Sequence, residues 1–94
     1  MGNNMTSKKR TNDLIVSEIL KICVNGASKT RIVYQANLNF STAKPYLYRF
    51  IERGLLEVIP MGSKIVYKTT PKGMDLKERL ERFQREMGEL NGLN

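Results

Sequence analysis

A chain of 94 residues makes one domain, near the small end of what folds on its own apolar core. It has no histidine and a single cysteine, Cys23, which excludes an intramolecular disulfide and a Cys/His zinc site and reads as intracellular, cytoplasmic usage. Sixteen Lys or Arg stand against nine Asp or Glu, for a net charge of +7, and the excess sits in residues 1–73, where twelve cations face four acids; that imbalance points to a polyanion, nucleic acid first.

The first ten residues are polar and predict a disordered start over 1–11, either a solvated tail or a basic arm carrying Lys8, Lys9 and Arg10. No apolar run approaches a membrane span or a signal-peptide core. TNDLIVSEILKIC then places Ile15, Ile19, Ile22 and Cys23 on one helical face, with Thr11 or Asn12 as the cap. Asn25 and Gly26 stop that helix, and Cys23 reads as core. Ser28 caps a second, two-turn helix with Ile32, Val33 and Ala36 inward. A four-residue turn, Asn37 to Phe40, leads to a third helix ending at Gly54.

The stretch NFSTAKPYLYRF, residues 39–50, sets a proline inside an otherwise helical pattern. Either Ser41 or Thr42 can cap the helix. With Ser41 as the cap, Phe40 lies just outside, Pro45 is the fourth helical residue, and the pair forms a hydrophobic staple. At helical spacing Ala43, Tyr46, Leu47, Phe50 and Ile51 share one side, and Lys44, Pro45, Tyr48, Arg49 and Glu52 the other. A cation, an aromatic hydroxyl and a guanidinium within two turns suit an element lying in a DNA major groove; the rival reading is an ordinary solvated face.

LLEVIP, MGSK and IVYKTT read as a β-hairpin with Lys64 at its tip. Thr70 and Pro71 start a last helix in which Leu76, Leu80, Phe83, Met87 and Leu90 follow heptad spacing. That helix is about 30 Å long by its residue count. A small domain cannot easily cover it, so a homodimer is predicted; the rival is a helix folded back on its own domain. Lys77 and Gln84 would flank the seam, and Arg79 would face Glu86 twice in an antiparallel pair.

The order helix, helix, turn, helix, hairpin looks like a winged helix-turn-helix. TRIVYQANLNFSTAKPYL, ERGLLE and YKTTPKG together resemble a family of archaeal winged-helix DNA-binding proteins, which includes the Sulfolobus "ten-a" type chromatin proteins, over residues 12–90. The resemblance implies a recognition helix over 41–53, a wing over 60–65 and a homodimer joined by an antiparallel C-terminal coiled coil. Pro45 departs from the pattern, where such proteins often carry a basic residue.

The predicted fold class is therefore mainly α with a small β-hairpin: a winged helix-turn-helix over 12–70, a dimerisation helix over 71–91 and a disordered tail over 92–94. The expected function is double-stranded DNA binding, as a transcriptional regulator or a nucleoid-associated chromatin protein. Candidate DNA-binding residues are Lys29, Arg31, Ser41, Thr42, Lys44, Tyr48, Arg49 and Lys64. The competing class is a winged-helix module that binds protein rather than DNA. No enzyme, cofactor, metal or small-molecule substrate is expected, because no nucleophile–base pair or phosphate-cradling glycine loop is present.

Overall fold

The computed structural model describes residues 11–92. The expectations for the basic arm at Lys8, Lys9 and Arg10, and for the last two residues, lie outside the described residues. Among the described residues the order is α1 (Asn12–Ile22), α2 (Lys29–Ala36), α3 (Phe40–Glu52), β1 (Leu56–Met61), β2 (Lys64–Thr69) and α4 (Pro71–Asn91). None of these helices is long and apolar enough to cross a membrane.

α1 lies between α2 and α4. It must therefore bury more than one narrow stripe, and Ile19, Leu20 and Cys23 are fully buried while Ile15 and Ile22 are half-covered. The expected apolar face is thus widened toward Leu20. Thr11 holds the N-cap position without a side-chain cap hydrogen bond. Burial pushes the Cys23 thiol up to about 12. Leu20 also offers its carbonyl to the buried Thr69 hydroxyl at 2.7 Å, tying α1 to the end of the hairpin.

Ser28 caps α2 by accepting the Arg31 N–H. The turn to α3 is three residues long rather than four: Asn37 is left-handed, at φ 56°, and Asn39 is extended. Asn39, not Ser41 or Thr42, is the α3 cap; its Oδ1 accepts both the Thr42 N–H and the Ser41 hydroxyl at 2.9 Å. Phe40 therefore begins the helix, and the Phe40–Pro45 staple does not form. Pro45 lies beyond the first turn, where it removes the helical hydrogen bond that the Ser41 carbonyl would accept. The helix expected over 41–53 for recognition runs Phe40–Glu52, one residue earlier at each end.

β1 and β2 pair antiparallel from Leu56↔Thr69 to Met61↔Lys64. Gly62 and Ser63 close the loop, with Gly62 at φ 64°, the first-position glycine of a II′ turn. The wing is thus a longer ribbon than residues 60–65. Ala27 adds a short third edge, exchanging both backbone hydrogen bonds with Tyr67 at 2.9 Å. Just before it, Gly26 has φ 92°, and a Cβ there would come within 2.8 Å of Val66 Cγ1; only glycine meets both demands.

Thr70 caps α4 by accepting the Gly73 N–H, and Pro71 takes the first helical position. α4 packs along α1 as far as Gln84. Gln84 Nε2 donates to Ser17 Oγ at 3.2 Å, to Asp13 Oδ2 at 3.3 Å and to the Asp13 carbonyl at 3.4 Å. Lys77, half-buried, pairs with Glu81 at 3.1 Å. Gln84 and Lys77 therefore face the chain's own α1 rather than flanking a partner helix. Arg79 pairs with Asp75 one turn back.

Candidate nucleic-acid interface

α3 lays Ala43, Leu47 and Phe50 into the core. At about 100° per residue, the line opposite that face holds Ser41, Pro45, Tyr48 and Glu52. Lys44 lies on one flank of this line, beside Phe40 and Ile51, and Arg49 on the other, beside Thr42. All of these side chains except Ile51 are exposed.

The flank carrying Lys44 faces α2 and the wing. Lys29, Phe40, Lys44, Leu47, Tyr48, Ile51 and Tyr67 line one groove there. Ser28, Lys29, Thr30, Ser63, Lys64, Ile65 and Tyr67 line a second. The grooves meet at Lys29 and Tyr67 and carry three ammonium groups and no carboxylate. Two of these ammoniums are held by aromatic faces. Lys29 Nζ is 4.4 Å from the Phe40 ring centre, and Lys44 Nζ is 5.9 Å from the same ring and 5.8 Å from that of Tyr48. This steers the cations without neutralising them. The ion pairs found among the described residues both lie within α4, so none of them engages Lys29, Lys44 or Lys64.

Of the sequence candidates, Lys29, Lys44, Tyr48 and Lys64 share this surface. Ser41 and Thr42 stand exposed at the start of α3, with the Ser41 hydroxyl and the Thr42 N–H held by Asn39. Arg49 is exposed on the far flank. Arg31 goes elsewhere: it lines a different groove with Glu18, Lys21, Ile22, Asn25 and Gln35. Sequence reasoning missed Phe40 as the seat of the lysines and Tyr67 as the hinge between the grooves. The alternating wing pattern nominates Tyr67; nothing local nominates Phe40, which precedes both caps the sequence offers, Ser41 and Thr42.

The dimerisation candidates divide. Leu76 and Leu80 are half-buried, and Leu76 packs on the chain's own core. Phe83, Met87 and Leu90 are 53%, 41% and 59% exposed on the second half of α4.

A capped turn between α2 and α3, a β-ribbon at the end of α3, and a basic groove between ribbon and helix define a winged helix-turn-helix. The chain belongs to the winged helix-turn-helix family, whose pattern it matches over residues 9–88. It is similar to Sso10a-2, a DNA-binding protein from Sulfolobus solfataricus, at 27% identity and a TM-score of 0.82, covering 89% of this chain and 88% of that one. It is 34% identical over 80 residues to the uncharacterized protein MJ0290 of Methanocaldococcus jannaschii; the match takes in 84% of this chain and 36% of the relative's length. The PcaV transcriptional regulator from Streptomyces coelicolor shares the fold at 21% identity and a TM-score of 0.71, over 94% of this chain and 64% of that one.

Proposed function

We propose that the protein binds double-stranded DNA as a homodimer, with α3 at the major groove and the β-ribbon on the adjoining backbone. The observation that carries this reading is the acid-free surface where Lys29, Lys44 and Lys64 gather from three different elements around Tyr67. A strand of phosphates is a line of negative charge, and cations arranged along one groove match it. The outermost line of α3 offers Tyr48 but no Lys or Arg, and includes Glu52. Affinity then comes mainly from the flanks, through phosphates, with Arg49 as the guanidinium nearest the base edges. Such weighting suits an architectural DNA-binding protein more than a strongly base-reading regulator. The similarity to Sso10a-2, a DNA-binding protein, supports DNA binding itself.

Dimerisation through α4 rests on Phe83, Met87 and Leu90. Exposed apolar side chains in one stripe near the end of the helix call for a cover of the same kind. Phe83→Glu with Met87→Glu should give monomers in sedimentation equilibrium; an unchanged dimer would place the interface elsewhere.

The binding test compares two variants on one duplex at one salt concentration. Replacing Lys29, Lys44 and Lys64 together by Gln should weaken binding at least tenfold. Arg31→Gln, in the other groove, should bind like the parent. Equal losses in both would disprove the assigned surface.

A further inference from the structure

The tip of the wing is less basic than a DNA-contacting loop would lead one to expect. Met61 and Ile65 are 59% and 52% exposed, Pro60 is exposed beside them, and Lys64 is the one charged residue of the stretch 60–65. The register puts Pro60 opposite Ile65 and Met61 opposite Lys64. Alternation along the strands then gives the end of the ribbon apolar side chains on both of its faces. Neither Gly62 nor Ser63 adds bulk beyond them, so Met61, Pro60 and Ile65 form a wedge.

Resting on the DNA-binding reading above, we infer that this apolar wedge enters the minor groove, unstacks a base step and bends the duplex. Ile65 and Lys64 line the same groove as Lys29, so the wedge is continuous with the basic surface. From the buried end at Leu56 to Met61, a strand rising about 3.3 Å per residue reaches roughly 17 Å. This is about half of the ~34 Å helical repeat of DNA, the distance from a major groove to its neighbouring minor groove. The minor groove of B-DNA is only about 6 Å wide. Strands about 4.8 Å apart, with side chains on both faces, do not fit it unopened. Met, Ile and Pro cannot replace hydrogen bonds to the groove walls, but they can cover the faces of separated bases, and such insertion kinks the duplex toward the major groove. Lys64 beside the wedge holds a phosphate rather than entering the stack. Pyrimidine–purine steps, which unstack most easily, are the sites this predicts.

The test uses the full chain and a duplex of about 30 bp with one central TpA step and a dye pair on its ends. Parent protein should shorten the end-to-end distance on binding and raise the permanganate reactivity of the central thymines several-fold. Met61→Thr with Ile65→Thr keeps strand-compatible, exposed side chains; it should bind with neither effect. Met61→Leu with Ile65→Leu should retain both. A duplex bound but straight, with unreactive thymines, overturns the wedge and leaves DNA binding intact. Bending by the Thr variant equal to the parent's, or absent from the Leu variant, also overturns it. So does a dimer that falls to monomer on the Thr substitutions, because the tip would then be an interface between copies. No binding to any duplex defeats the functional reading itself.

Discussion

Gly73, the buried glycine in the first turn of α4, controls how the long helix leaves the DNA-binding head. A Cβ at this position would stand 2.2 Å from the Leu55 carbonyl oxygen and 2.7 Å from Thr69 Cγ2. The Leu55 carbonyl cannot move aside freely, because it accepts the Thr70 N–H at 3.0 Å, and the Thr70 hydroxyl bonds the Gly54 carbonyl at 2.6 Å. For Gly73→Ala, helix propensity favours the variant by about 1 kcal/mol. Opposing it, the overlap with the backbone acts as overpacking and adds strain to that cap; such insertions cost about 1–3 kcal/mol, occasionally more. A backbone contact overlapping by about an ångström belongs at or beyond the upper end of that range, for a net loss of roughly 2 kcal/mol or more. In a domain of this size a loss of about 2 kcal/mol lowers Tm by about 8–16 °C. Gly88 in the same helix is the control: nothing lies within 4 Å of its Cβ position, so Gly88→Ala should raise Tm slightly. Thermal unfolding followed by circular dichroism, at one protein concentration, reads both. A Gly73→Ala variant as stable as Gly88→Ala would refute the packing described for this junction.

Asn39→Ala should destabilise by about 1 kcal/mol through loss of the α3 cap, measured by urea unfolding, while Ser41→Ala should cost clearly less; the reverse order would restore Ser41 as the cap. Cys23 should be inert to thiol reagents in the folded protein, reacting only as fast as the chain opens. Because its folded pKa, about 12, lies above the ordinary value of 9.0, its contribution to stability is complete below pH 9 and fades as pH rises from 9 toward 12. Melting profiles at pH 8 to 10 should therefore fall more steeply for the parent than for Cys23→Ala.

Several features of the molecule are written locally and were legible. Thr70 followed by Pro71 marks a helix start by side-chain chemistry and a missing N–H, and the helix begins there. Gly54 and Gly62 stand where the chain turns, both at positive φ. The start of α3 was not legible because Asn39, Ser41 and Thr42 can all cap. The choice is made by the left-handed Asn37, which turns the chain one residue sooner. Lys29 and Arg31 look equivalent in sequence, but two residues on a helix point about 200° apart, and only the placement of the wing decides which meets the basic groove. That placement depends on the Ala27–Tyr67 bridge, a single pair with no periodicity to reveal it. The α4 seam was half legible for a related reason. Heptad spacing marks an apolar stripe, but it does not say that Leu76 packs on the chain's own core while Phe83, Met87 and Leu90 are left exposed.

The central claim is that positive side chains from α2, α3 and the wing present a phosphate-binding surface to duplex DNA. The salt dependence of binding tests it most directly. With Lys29, Lys44, Arg49 and Lys64 engaged, the plot of log affinity against log salt should fall with a slope of about −3 to −4 per head, and about double that when both heads of a dimer bind one duplex. A slope near zero would contradict the claim.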